Sequence, residues 1–394
     1  MLKENSSSAK KLLFAYYDLY ILQYKSKKYK FFVKEENVKR ILHPISITLY
    51  VMIFIIILPF ILPTKPIKKY SDAKLRQAML SRNMLPVPKN YEDLLKVVDT
   101  SQNPMSKEKI ALGKKLFFDT ILSQDKTISC ASCHHLSEGG DDNLSTAIGY
   151  LGQENPFHLN SPTVLNAALA KSQFWDGRAK DVEEQAGGPI QAPFEMHMQP
   201  KEVVQRLKNV PEYVTAFHKV FGTPITFENL RKAIGAYERT LLTRGAYDEF
   251  LEENNSAISQ SAKRGMALFI SKGCMGCHSG MSVGGQSIQK FPLRSYVSEY
   301  IGLLFSPSIE LKESPFPFEN KGGFLGEDDS LHFRVPILRN ITKTAPYFHN
   351  GSVEKLEEAV RIMSKYQIGE EFTPNQIDDV IAFLKSLEGE LVKY

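Results

Sequence analysis

Stretches in which apolar and polar residues alternate are few in this chain of 394 residues, which excludes a body built mainly of half-buried sheet. Tryptophan occurs once, at Trp175, and cysteine four times. A basic excess is missing beyond residue 80: of 49 Lys and Arg and 44 Asp and Glu in the whole chain, residues 81–394 hold 34 and 39. That balance excludes nucleic acid as the expected partner and suits a cationic protein instead. The formal net charge of +5 arises at the other end, where residues 1–45 carry 10 basic and 4 acidic residues and residues 46–80 carry 5 and 1. Long apolar runs are scarce as well; the longest is ISITLYVMIFIIILPFIL, residues 45–62, with no charge in it.

What is present begins with that run. At about 1.5 Å per residue it just spans a hydrocarbon core of about 30 Å. Pro59 is tolerable in a membrane helix, where neighbours or side chains satisfy the freed carbonyl. The following PTKPIKK offers no small-x-small cleavage site, so an inner-membrane anchor is expected in preference to a cleaved signal peptide, with residues 1–44 as a cytoplasmic tail. Residues 63–104 read as a linker with short helical pieces, interrupted by Pro86, Pro88 and Pro104. Ser106 is expected to cap a helix carrying Ile110, Leu112, Leu116 and Phe117 on its apolar side. A second helix should follow Thr226, and a third should be capped by Thr373 with Pro374 in its first turn.

A faint internal repeat accompanies the cysteines. GKKLFFD at 113 precedes the first pair and GMALFIS at 265 the second, each placing a glycine, then two residues, then Leu-Phe. All four cysteines lie in two Cys-x-x-Cys-His runs: Cys130, Cys133, His134 and Cys274, Cys277, His278. A Cys-x-x-Cys pair alone suits zinc or thiol redox chemistry, and one four-sulfur zinc site across both pairs is the competing arrangement. Histidine directly after the second cysteine points to haem, because two thioether links fix the ring and the adjacent imidazole then reaches the iron. Two covalently bound haem c groups are therefore expected, and their attachment demands export. The expected fold is mainly α: two c-type cytochrome-like haem domains in tandem with long loops, at 105–245 and 246–394, preceded by one N-terminal transmembrane helix. The last helix is a candidate to return to the first domain.

From about 105 to 388 the chain resembles the bacterial dihaem cytochrome c peroxidases. The stretches that carry the likeness are LGKKLFFDTILSQDKTISCASCH, NSPTVLNAALAKSQFWDGRAKDVEEQAGGPIQAPFEM, GCMGCHSG and LRNITKTAPYFHNGSVEKLEEAVRIM. The resemblance implies reduction of hydrogen peroxide to water with electrons from a small periplasmic cytochrome c or a copper protein. Peroxide would be cleaved at the first haem, and electrons would enter at the second. Met363 is implied as the distal ligand of the second haem, a His/Met pair that raises its potential. Trp175 is implied between the two haems. Glu195, with Gln185 beside it, is implied as the acid-base group that takes a proton from one peroxide oxygen and returns it to the other. Arg178, Arg334 and Arg339 are expected to meet haem propionates. Asn160, Thr344 and Pro346 match an interdomain calcium site of one amide and backbone carbonyls. A periplasmic location and a homodimer are implied too.

The chain departs from that family at one position. Many members carry a second histidine sixteen residues after the first proximal one, and here that residue is Tyr150, followed by a longer loop that holds His158. The first iron is expected to be open or water-bound, with His158 and Tyr150 as the competing ligands. His135 is expected in a loop, and His349 at the domain interface with no role that the sequence supplies. Two other functions compete. A pure electron carrier gains nothing from Glu195 or from an open iron. A dihaem oxidase of a protein or organic substrate would lack Met363.

Overall fold

Helices supply most of the regular secondary structure in this computed structural model, in which residues 70–293 and 315–393 are described. The apolar run 45–62 lies outside them, and among the described residues no helix is long and apolar enough to cross a membrane. Helices α1 (Asp72–Leu80), α2 (Tyr91–Val98) and α3 (Lys107–Phe118) each start at a side chain that accepts a backbone N–H of the first turn: Ser71, Asn90 and Ser106. The short α4 (Val182–Gln185) and α5 (Gly187–Gln191) follow, then α6 (Pro200–Lys208), α7 (Pro211–Phe221) and α8 (Phe227–Glu238). The second half holds α9 (Ala246–Leu251), α10 (Gln260–Ser271), α11 (Leu356–Ile362) and α12 (Pro374–Ser386). Among the described residues sheet is confined to two antiparallel pairs, β1 (Thr243–Gly245) with β4 (Gly389–Leu391) and β2 (Ile288–Lys290) with β3 (His332–Arg334).

The glycine-x-x-Leu-Phe repeat encodes the same helix crossing twice. A Cβ on Gly113 of α3 would stand 1.8 Å from the Ala233 carbonyl oxygen on α8 and 3.0 Å from Tyr237 Cβ. One on Gly265 of α10 would stand 1.8 Å from the Asp379 carbonyl oxygen on α12 and 3.0 Å from Phe383 Cβ. Only glycine lets two backbones touch at such points. Each crossing seats a core, with Leu116, Phe117, Ile234 and Tyr237 in the first and Leu268, Phe269, Val380 and Phe383 in the second.

A second repeat, less visible in sequence, joins the halves. Asn166 and Asn340 both adopt left-handed backbone with φ 61° and open short 3-10 turns, Ala167–Leu169 and Ile341–Lys343. Phe174 and Phe348 follow with φ 67° and 69°, and backbone bridges close both loops, Gln173 to Ala179 and Tyr347 to Val353. The Asn166 and Asn340 amides both donate to the Thr243 hydroxyl at 2.9 Å, so one threonine in β1 ties the two loops together.

Residues 72–98 are packed rather than linker-like. Leu75, Met79 and Met84 fill the second core, while Val87, Leu94 and Val98 pack with Leu242 and Val392. The described residues fall within one unit. Helix α12 stays in the second core, and it is β4, beyond it, that pairs with β1. Arg339 pins this arrangement: its guanidinium holds the Asp248 carboxylate at 2.9 and 2.7 Å with both side chains fully buried. Asp248 also accepts the backbone N–H of Val87 at 2.8 Å and of Gly245 at 2.9 Å.

Candidate functional site

Cys130 opens a 3-10 turn (Cys130–Ser132), and the chain beyond it curls so that His134 Nδ1 meets the Gly140 carbonyl at 3.0 Å. A carbonyl can only accept, so Nδ1 carries the proton and Nε2 keeps its lone pair for a metal. Phe117 of α3 lies 6.5 Å from this imidazole, and burial lowers the pKa of His134, keeping it neutral as a ligand must be. The second centre repeats the plan. Cys274 opens the turn Cys274–Gly276, His278 is buried, and Phe269 of α10 stands 6.1 Å from its ring. Burial pulls His278 down to about 4, near the carbonyls of Pro336 and Val283.

All four cysteines are free thiols. Burial pushes Cys133 and Cys274 up to about 12 and raises Cys130 and Cys277 as well. Thiol exchange needs a thiolate, which these apolar walls disfavour. Cys130 packs on the first core and Cys274 on the second. Among the described residues no group of three or more His, Cys, Asp or Glu is placed to hold a metal, which removes the shared zinc site.

A cavity of about 470 Å³ opens at the second centre, lined among others by Cys274, Cys277, His278, Met363, Arg334 and Trp175. Its volume falls within the range of about 300–1,000 Å³ usual for cofactor sites. Met363 begins a π-helical turn (Met363–Ile368) beyond α11, an irregularity frequent at functional sites. Arg334 Nη1 is buried without a partner, and burial lowers its pKa to about 10. An unpaired buried cation calls for an anion, and a haem propionate is one. The residues present therefore fit the group that the Cys-x-x-Cys-His motif implies. Arg178 instead pairs with both oxygens of Asp176 at 2.9 Å and covers the Phe174 ring, while Arg339 is taken by Asp248.

Glu195 lies close enough to Cys133 for its charge to raise that thiol, which sets it at the first centre. Burial pushes its carboxyl up to about 7, with Arg178 pulling the other way. A carboxyl half ionised near neutral pH can both take and give a proton. Gln185 ends α4, and no hydrogen bond among the described residues ties its side chain to Glu195. Tyr150 donates its backbone N–H to the Glu195 carbonyl at 2.7 Å, and its ring stacks on His197, 4.7 Å away at 10°. His197 Nδ1 in turn donates to the Pro193 carbonyl at 3.0 Å. Nothing in the spacing of the sequence singles out His197. His158 sits in left-handed backbone with φ 48°, and His135 faces Glu138 at 3.5 Å.

On the wall of the same cavity, Trp175 Nε1 donates to the Asn160 carbonyl at 2.8 Å and its ring meets His349 edge to face, 6.5 Å away. Asn160, Thr344 and Pro346 line the same cavity. The Asn160 amide points at two carbonyl oxygens, Leu144 at 2.7 Å and Pro346 at 3.4 Å. With the amide turned, three oxygens would converge, an oxygen-only donor set suited to calcium. Asp141, not singled out in the sequence, is fully buried nearby in the chain, with neither carboxyl oxygen bonded. Burial, and then Asp142, push it up to about 7.

A family model described as di-haem cytochrome c peroxidase matches residues 107–256. Cytochrome c551 peroxidase of Pseudomonas aeruginosa is 42% identical over 301 residues, 75% of this chain and 82% of that one. The protein of the same name from Nitrosomonas europaea is 41% identical over 290 residues, 73% of this chain and 82% of that one. Among solved structures, a MauG-like protein associated with microbial copper homeostasis superposes with a TM-score of 0.62 at 26% identity, covering 79% of this chain and 95% of its own. The chain belongs to the di-haem cytochrome c peroxidase family.

Proposed function

We propose that this member of the family reduces hydrogen peroxide to water, H2O2 + 2 e− + 2 H+ → 2 H2O, and that its two halves divide the work. Haem c attached at Cys130 and Cys133 with His134 as ligand, and at Cys274 and Cys277 with His278 and Met363, would supply the one-electron redox chemistry. Glu195 takes a proton from one oxygen of peroxide and delivers it to the other. Arg334 neutralises a propionate. Trp175 stands in the path between the centres, and Asn160, Thr344 and Pro346 hold calcium beside it. The donor is a small cytochrome c or copper protein, with a cationic face suited to the acidic balance of residues 81–394. We place the protein in the periplasm, tied to the inner membrane by residues 45–62 and paired as a homodimer.

The observation that carries this reading is the desolvated Glu195 carboxyl beside Cys133, at a centre whose histidine keeps Nε2 free. Met363 on the wall that also holds His278 supports the peroxidase over an oxidase of organic substrates. Peroxide consumption followed with reduced cytochrome c is the test. Turnover at the expense of the reduced donor is expected, whereas a protein that exchanges electrons and leaves peroxide untouched is a carrier.

A further inference from the structure

Residues 166–177 and 340–351 place Asn, Phe and Gly at the same three positions: Asn166, Phe174 and Gly177, then Asn340, Phe348 and Gly351. Where the first window carries Trp175, the second carries His349. The correspondence extends to the approach segments, because Asn160 and Arg334 stand equally far ahead of Asn166 and Asn340. Contacts are exchanged across this repeat. Arg334 donates its backbone N–H to the Trp175 carbonyl at 2.8 Å, and Asn160 donates its own to the His349 carbonyl at 2.9 Å. Each loop is thus held by the other half, and the two ring-bearing positions face one another at the local pseudo-twofold axis, 74° apart.

The surroundings of His349 are built. It is 3% exposed, with Phe316, Phe333 and Phe324 at 4.9, 4.8 and 6.0 Å. Its Nε2 donates to Asn320 Oδ1 at 3.0 Å, which fixes the ring's rotation. Burial holds its pKa near 3, so it adds no charge beside the indole.

We propose that His349 is the second half's counterpart of Trp175 and a positioning residue of the electron path: a neutral ring, tethered by Asn320, that seats the indole between the two centres. The proposal rests on the peroxidase reading. One electron at a time passes from the second centre to the first, with no bond made at either ring and neither ring left oxidised or reduced.

The test uses the holoprotein and its variants His349→Ala and His349→Phe. The readouts are the rate of electron transfer between the haems after rapid one-electron reduction, and both midpoint potentials. His349→Ala is expected to slow transfer by about tenfold or more, since displacing a working group by an ångström can cost about a hundredfold. Its potentials should stay at wild-type values, and His349→Phe, which keeps a ring there, should recover most of the rate. Should His349→Ala not fold, Asn320→Ala removes the tether alone and is expected to slow transfer with the potentials unmoved. Wild-type rates in His349→Ala (or in Asn320→Ala where that replaces it), or equal slowing in His349→Ala and His349→Phe, overturn the proposal. A wild-type protein with no transfer between haems overturns the peroxidase reading instead.

Discussion

Phe117 and Phe269 stand 6.5 and 6.1 Å from their histidines, and each belongs to a helix whose glycine lets a second helix lie backbone to backbone against it. On the walls away from this crossing the likeness ends. The second centre has Met363, raised on a π-helical turn and facing the cavity of His278. The first has the Glu195 carboxyl, with Tyr150 turned onto His197. The shared side is made by helices whose backbones meet at a glycine, and the divergent side by loops, which change at little cost to the core. A thioether ligand closes an iron and favours holding electrons, while a titratable carboxyl serves a reacting oxygen.

Substitutions on the two sides should have unequal effects. Glu195→Gln should lower kcat by about 10²–10⁴-fold, the usual worth of a positioned acid-base group. In the wild type kcat/KM should rise with pH through about 7, because the raised pKa leaves the carboxyl protonated below it and able to accept a proton only above it. That limb should vanish in the variant, and a variant that retains it assigns the proton to another group. Asp248→Asn leaves Arg339 buried and uncompensated in the second half, where the first half has Leu165 at the matching place. Urea unfolding should show a loss of about 3–5 kcal/mol. Met363→His should lower the midpoint potential of the second haem and leave the first unmoved, by on the order of a few hundred mV within the 0.8 V or so that axial ligands span. Gly113→Ala and Gly265→Ala should each cost about 1–3 kcal/mol by forcing the helices apart. A loss at only one of them would mean that the two crossings are not equivalent.

Much of the shared side was legible in the sequence. The Cys-x-x-Cys-His runs announce their chemistry, and the Gly-x-x-Leu-Phe repeat marks two units of one design, whose glycines meet Ala233 and Asp379. The second repeat stayed hidden because its matching residues, Asn166 with Asn340 and Phe174 with Phe348, are set by left-handed backbone, whereas the side chains between them differ. His349 therefore had no role until its partner across the loops was visible. Residues 72–98 read as linker because Pro86 and Pro88 break any long period, yet short capped helices are enough to bury Leu75, Met79 and Leu94. The partner of Arg339 could not be read at all, since Asp248 is brought to it by the tertiary fold.

The inequality of the two centres is best tested by titrating the oxidised holoprotein with cyanide and following the haem absorption. One cyanide bound for every two haems, at the haem of His134, is the expected result. Binding at both haems, or at neither even after one-electron reduction, contradicts the division of labour between an accessible first centre and a methionine-closed second one.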